Sequence, residues 1–431
     1  MSNNAALNWF YLDLNSYFAS VEQQLNPDFR NRPIAVVPVL SDYTCAIAAS
    51  YEAKACGVKT GTAIHEARRL CPDLICVIGD HSVYAEYHHK ILAEINKHIP
   101  IDIVASIDEV ACRLTGSWQQ EEKALEIAYA VKQGIADNIG KHIKCSIGIA
   151  ENKFLAKVST ELEKPDGLVV LYNDELPGRL LGLMPGDLPG IGRSIKKRLH
   201  RTGVISMQDL WDMSAKNMRR TWNNVAGENF WYMLHGYQVE EKGVKKKTIG
   251  HSHVLGPDFR PVLKAKQVAV RLLLKAASRL RRMEYYTQDL CLTYKIEDSF
   301  KVKAQSNFAM AKDNTTLIKE LEQLWDVLLL EYSPNRIKKI SISFNNLIRE
   351  NTDQLDLFAD NKNVTDDSSD PIGQAVTKIK KQEKLSKIMD TLNTKFGRDT
   401  IVMGGAPREM AKFSSQKIAF TRIPDKDEFF D

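Results

Sequence analysis

Cysteine is sparse here and unpaired in pattern: seven residues at positions 45, 56, 71, 76, 112, 145 and 291, with no CxxC spacing. That usage excludes a disulfide-stapled scaffold, argues against structural zinc, and suits reduced thiols in a cytosol. No apolar run approaches the roughly 18 residues needed to span a bilayer. The opening MSNNAALNWFYLDL lacks a basic segment ahead of an apolar one, so no export signal is expected. Acidic residues are absent between Arg260 and Arg282, where eight basic residues occur. RSIKKRLHR (193–201) and KGVKKK (242–247) are basic too, while DQLDLFAD and TDDSSD carry the acids near the C-terminus, so a formal net charge of only +5 hides strong segregation. Clustered cations favour a polyanion partner, nucleic acid above all, with solvated helix faces as the bland alternative.

With 431 residues, of which 44% are hydrophobic and 26% charged, the chain reads as globular and as more than one domain. Residues 8–14 (NWFYLDL) predict a buried strand and SYFASVEQQL a helix. Short strands follow at IAVVPVL and CAIAAS, then helices at HEARRL and YAEYHHKILAEINKHI. The stretch from Ile101 to Leu114 predicts a strand or hairpin, EEKALEIAYAVKQGIADNIG a helix, and KCSIGIA a strand running into the helix NKFLAKVSTEL. This alternation predicts an α/β unit to about residue 175. Helices with an LPGIG turn fill 180–240, and strands LCLTYKI and KKISISFNNL flank a basic helix in a separate α+β module. A polar stretch then precedes a helix, EKLSKIMDTLNTKF, and a strand, TIVMG.

Two adjacent acids, Asp108 and Glu109, interrupt the apolar run ASIDEVACRL, and Asp13 sits in the first strand. Three interior carboxylates repel one another and lose hydration, which is costly unless a cation joins them. Two divalent ions about 3.5–4 Å apart would do so, activating a 3′-hydroxyl and steadying a leaving pyrophosphate. Hard oxygen ligands point to Mg²⁺. On an ideal strand Asp108 and Glu109 face opposite sides, so convergence requires the strand to bend or end there.

YLDLNSYFASVE, SYEAKACGVKTG, SIDE and NKFLAKVSTELEKPDG, in this order over the first 170 or so residues, resemble the Y-family (translesion) DNA polymerases, bacterial UmuC- or DinB-like. The resemblance implies an α+β multidomain right hand: a ferredoxin-like palm (1–25 and 80–175), small fingers (26–79), a helical thumb with a helix-hairpin-helix (176–242) and an α+β little finger (243–350). A linker with a clamp-binding peptide (351–382) and a UmuC-like tail (383–431) would follow. It also implies low-fidelity, template-directed addition of dNTPs to a primer 3′ end, in the bacterial cytoplasm, within DNA repair and the SOS response.

Carried over by position, Asp13, Asp108 and Glu109 match the metal carboxylates, with the Leu14 carbonyl a further ligand for two Mg²⁺ ions. Phe18 matches the aromatic steric gate under the incoming sugar. Tyr51, Lys54 and Lys157 match the triphosphate contacts; Lys153 is as readily a solvated lysine. Lys54 and Asn15 replace residues common in the DinB branch and agree with UmuC, whereas Tyr51 and NKFLAK look like DinB. In LPGIGRSIKKRL, Gly190, Gly192 and Lys196 match the thumb residues that approach DNA phosphate. QLDLF resembles the bacterial sliding-clamp (beta) peptide, with Gln354, Leu355, Leu357 and Phe358 entering the clamp. A UmuD-type partner and RecA follow if UmuC is the nearer branch. Two rivals stand beside this reading. One is a polymerase-like scaffold that recruits others to the clamp; such proteins lack the metal acids. The other is a nucleotidyl cyclase, which has no place for LPGIG, the basic module or QLDLF.

Overall fold

A computed structural model describes residues 6–240, 247–350, 371–397 and 400–403. The chain divides into two compact units, which meet in sequence between residues 241 and 242.

The first unit runs β1 (Trp9–Leu14), α1 (Tyr17–Leu25), β2 (Ile34–Val37), β3 (Ala48–Ala49), α2 (Tyr51–Ala55), α3 (Ile64–Leu70), β4 (Ile75–Ile78) and α4 (His81–Ile95). It continues with β5 (Ile103–Val104), β6 (Glu109–Arg113), α5 (Glu121–Asn138), β7 (Cys145–Ala150), α6 (Lys153–Leu162), β8 (Leu168–Leu171), α7 (Arg193–Arg201), α8 (Met207–Trp211), α9 (Ala215–Trp222) and α10 (Val225–Leu234). A five-stranded sheet in the order β5-β6-β1-β7-β8 forms the base, antiparallel except for β7 and β8. A small sheet, β3-β2-β4, lies in the region expected as fingers, and α7 to α10 lie in that expected as thumb.

Strand β1 is buried along its whole length because both faces of the sheet are covered. Phe10, Leu12 and Leu14 enter the core shared with α1, α4 and α5. Trp9 and Tyr11 enter the opposite core, with α6 and the helices after it. Asp13 continues this second set by the two-residue period of a strand. Helix α6 lies close against the sheet because Gly148 of β7 has no Cβ; one built there would collide with the Ala156 carbonyl. That close approach brings Lys157 of α6 to the end of β1.

The second unit holds β9 (Ile249–Val254), α11 (Val262–Arg282), β10 (Tyr285–Ile296), β11 (Lys301–Ala311), α12 (Asn314–Tyr332), β12 (Ile337–Arg349) and α13 (Pro371–Phe396). Its antiparallel sheet, ordered β11-β10-β12-β9, packs on α11 and α12 around Leu273, Leu292, Trp325 and Phe344. Helix α13 begins at Pro371, inside the stretch expected as linker. A proline at the first helical position loses no intrahelical bond, so it is a natural start. The strand expected at TIVMG is not formed in its described part: residues 400–403 are irregular, and Asn393 holds the Ile401 backbone N–H and carbonyl. Arg281 forks onto Asp390 of α13 at 2.6 and 2.9 Å, and Lys312 reaches Glu350 at 2.5 Å and Glu383 at 3.8 Å.

Candidate active site

Asp13 and Glu109 are cross-strand neighbours on β1 and β6. They share the face that carries Tyr11 and Ala111 towards α6. Asp108 precedes β6 in a bend, free of the alternation that would turn it away. The bend is tied by Ala105 and Ser106 N–H groups donating to the Glu109 carbonyl at 3.0 and 3.3 Å. The Leu14 N–H donates to the Asp108 carbonyl at 2.8 Å. The Ser106 hydroxyl donates to the Asp108 carboxylate at 2.5 Å.

Like charges facing each other across a ladder are unfavourable unless countered. Lys157 counters them: its ammonium is paired with Asp13 and stands 3.0 Å from Glu109. A second ammonium, Lys164, lies 2.8 Å from Asp13. Glu161 bridges the two lysines, at 3.4 Å from Lys157 and 2.7 Å from Lys164. Burial opposes the Lys157 charge, yet Asp13 and Glu109 outweigh it and hold its pKa above the ordinary lysine range. Asp108 is pushed up by burial, with the Asp13 and Glu109 charges adding to it. Tyr11 donates to Glu109 at 2.8 Å, and burial followed by the Glu109 charge raises its phenol.

The other positions fall around this cluster. Ser50 caps α2, whose Lys54 ammonium lies 4.4 Å from the centre of the Tyr51 ring. Gly57, with φ of 92°, takes the left-handed turn after the helix. Burial and then Lys164 lower the Lys54 pKa, while burial, Asp13 and Glu161 push Tyr51 up to about 12. Phe18, half-buried on α1, stacks on Tyr84 of α4 at 4.4 Å. Ser16, at φ 48°, starts α1 in a left-handed conformation, with its buried hydroxyl unpartnered. Lys153 lies over the Trp9 ring at 5.9 Å. Asn15 is buried, accepting from the Asp166 N–H at 2.7 Å and donating to Ser146 at 3.0 Å, so it holds the loop behind Lys164. At the hairpin, Gly190 has φ of 90°, Gly192 caps α7, and exposed Lys196 lies beside Gly186. Gln354, Leu355, Leu357 and Phe358 lie outside the described residues.

Lys164, Glu161, Tyr11 and Ser16 were not foreseen as site residues. Glu161 was legible, being one turn from Lys157; the others needed the fold.

Among the described residues, no three His, Cys, Asp or Glu side chains are gathered in a metal-ligating arrangement. The ammonium groups of Lys157 and Lys164 stand against the carboxylates. The donor set nevertheless fits a hard divalent cation. It is all oxygen, and Asp108 is raised by burial among like charges that an added cation would neutralise.

Models of the impB/mucB/samB family match residues 12–161 and, for its C-terminal domain, 246–357; a DNA polymerase-iota thumb-domain model matches 186–237. The chain belongs to the Y-family DNA polymerases. It is a DinB-like member, a DNA-directed DNA polymerase of translesion synthesis. Its relatives include DNA polymerase IV of Alkaliphilus oremlandii, 28% identical over 402 residues (91% of this chain, 97% of the relative). DNA polymerase IV 1 of Bacillus subtilis is 26% identical over 426 residues (97% of each). Among solved structures, a Dbh–Dpo4–Dbh Y-family polymerase chimera shares the fold at TM-score 0.67 and 24% identity, covering 80% of this chain and 100% of that one. An insertion ternary complex of Dbh DNA polymerase matches at TM-score 0.53 and 26% identity, with the same coverage. Polymerases of this family are metal-dependent. The relatives carry the polymerase IV name, so the UmuC side of the sequence reading gains no support from them, and neither does the scaffold reading. No described helix is long and apolar enough to cross a membrane.

Proposed function

We propose that Asp13, Asp108 and Glu109, with the Leu14 carbonyl, hold two Mg²⁺ ions for primer extension past damaged template bases. The observation that carries this reading is the convergence of Asp13 and Glu109 on one sheet face, with Asp108 released by the bend beside them. Bound there, the ions would activate the primer 3′-hydroxyl and neutralise charge on the departing pyrophosphate.

The chain's own groups prepare that chemistry. Lys157 and Lys164 neutralise the acids in the free chain, and the same ammoniums suit an incoming triphosphate. Lys54, its pKa lowered by burial and then by Lys164, would be favoured by an anion beside it, and Tyr51 lies under it. Lysine binds as a point charge and tolerates varied phosphate geometry. Phe18, backed by the stacked Tyr84 ring, would block a 2′-hydroxyl on the incoming sugar. Gly190 and Gly192 let backbone N–H groups approach phosphate independently of base sequence. Template-primer DNA and dNTP are therefore the substrates.

QLDLF would tether the enzyme to the sliding clamp through Gln354, Leu355, Leu357 and Phe358, with a role in damage-induced (SOS) mutagenesis. Bypass by the isolated chain would show that a UmuD-type partner and RecA are dispensable. The deciding experiment is Mg²⁺-dependent primer extension on intact and abasic templates, beside Asp108→Ala. Extension and bypass that vanish in the variant support the reading; equal extension by both proteins sinks the assignment of the acids.

A further inference from the structure

The bend before β6 has a fastener outside its own strand. His88 lies on the buried face of α4, which also carries Tyr84, Ala85, Ile91 and Ile95, and is only 2% exposed. Its Nδ1 stands 2.7 Å from the carbonyl oxygen of Ile107, the residue before Asp108. A carbonyl only accepts, so Nδ1–H is the donor. The ring is neutral near pH 7, since burial drives its pKa down to about 4. The Ile107 side chain is buried in the core beneath.

We propose that His88 is a positioning residue, fixing the Ile107 carbonyl so that the bend presents Asp108 and Glu109 together. This rests on the assignment of those acids as the metal carboxylates. The backbone around Asp108 is then held by β1 through the Leu14 N–H, by its own turn through Ala105 and Ser106, and by α4 through His88. The third tie matters because the acids lie at the junction of strand and bend. A small slide of Ile107 would restore strand alternation and rotate Asp108 away from Glu109. Groups that hydrogen-bond a metal's ligands directly typically change affinity or rate by about 10–100-fold when removed. His88 acts one residue further back, through Ile107, so the low end of that range is expected.

Asparagine places its side-chain N–H near the position of Nδ1–H, whereas glutamine and leucine do not. The test compares His88→Asn, His88→Gln and His88→Leu in the full chain, with Asp108→Asn in parallel. Each is read by circular dichroism, single-turnover extension, KM for dNTP, and Mn²⁺ binding to the free protein by electron paramagnetic resonance. The expected result is a folded His88→Leu with kcat and Mn²⁺ affinity each down about tenfold, KM for dNTP changed less than about twofold, and His88→Asn near wild type. Wild-type kcat and Mn²⁺ affinity in a folded His88→Leu would overturn the proposal. So would a His88→Asn as impaired as leucine. If His88→Leu does not fold, the Asn and Gln variants decide: better Mn²⁺ binding and turnover with Asn support the fastener, and equality refutes it. Full activity and Mn²⁺ binding in Asp108→Asn would instead refute the assignment of the acids.

Discussion

The rings of Phe18 and Tyr84 are stacked, 4.4 Å between centroids and 13° from parallel. Tyr84 is fully buried, its hydroxyl donating to Glu22 at 2.5 Å, and His81 meets Phe18 edge-on at 5.8 Å. Phe18 is therefore backed by a rigid wall, which is what a ring needs if it is to exclude a 2′-hydroxyl by contact. An apolar pocket alone rejects an added hydroxyl by only about 10²-fold. Phe18→Ala is expected to lower the ratio of dNTP to rNTP insertion by at least about tenfold, and Tyr84→Leu by less, because the ring remains but loses its backing. Insertion kinetics with matched dNTP and rNTP pairs check this. An unchanged ratio in Phe18→Ala would remove Phe18 from sugar selection.

The pH dependence of folding should carry a His88 signature. Its folded pKa, about 4, lies below the ordinary value of 6.5. The unfolded chain therefore binds more protons between these values, so stability is full above about pH 6.5 and falls as pH drops towards 4. The limiting loss from this group is roughly 3 kcal/mol. Urea unfolding of wild type and His88→Asn from pH 7 to pH 4 checks the sign. The wild type should lose more stability on acidification, and parallel curves would exclude the effect.

Much of the candidate site is legible in the sequence, for reasons that particular residues make plain. Asp13, Asp108 and Glu109 stood out because carboxylates in an apolar strand are costly, and the need for a bend followed from alternation alone. What Lys164 does was not readable: in ELEKPDG it looks like a surface charge, and only the loop after α6 returns it to Asp13. His88 reads as a core histidine on a helix face, because its partner is a backbone carbonyl, and carbonyls leave no trace in side-chain patterns. The start of α13 was missed although Ile372, Ala375, Val376 and Ile379 follow helical spacing, because Gly373 and the polar run before Pro371 read as linker. The contacts that anchor the helix, Asp390 and Ser386, lie in the part already expected as helix.

Those contacts make a prediction of their own. Arg281 is 6% exposed and donates to Asp390, to the Lys312 carbonyl at 2.7 Å and to Asn314 at 2.9 Å. Asp390→Ala strips a buried guanidinium of its counter-ion, a loss of about 3 kcal/mol where such pairs are broken from one side. Arg281→Met should cost less, because it leaves no buried charge. Denaturant unfolding and hydrogen exchange of α13 check both. The expected pattern is faster exchange in residues 377–396 of Asp390→Ala; protection equal to wild type would mean the ion pair does not hold the helix.

The hairpin before α7 should bind DNA through its backbone and its charge separately, and two variants separate them. Gly190 adopts φ of 90°, a conformation that an L side chain resists. Gly190→Ala should therefore deform the turn and weaken template-primer binding at every salt concentration, leaving the salt slope nearly unchanged. Lys196 is exposed on α7 in a helix rich in cations. If it neutralises one phosphate, Lys196→Ala should lower the slope of log K against log salt by about 0.9. Fluorescence anisotropy of labelled template-primer across a salt series reads both quantities. An unchanged slope in Lys196→Ala would place that lysine off the DNA, and unchanged affinity in Gly190→Ala would take the hairpin backbone out of the interface.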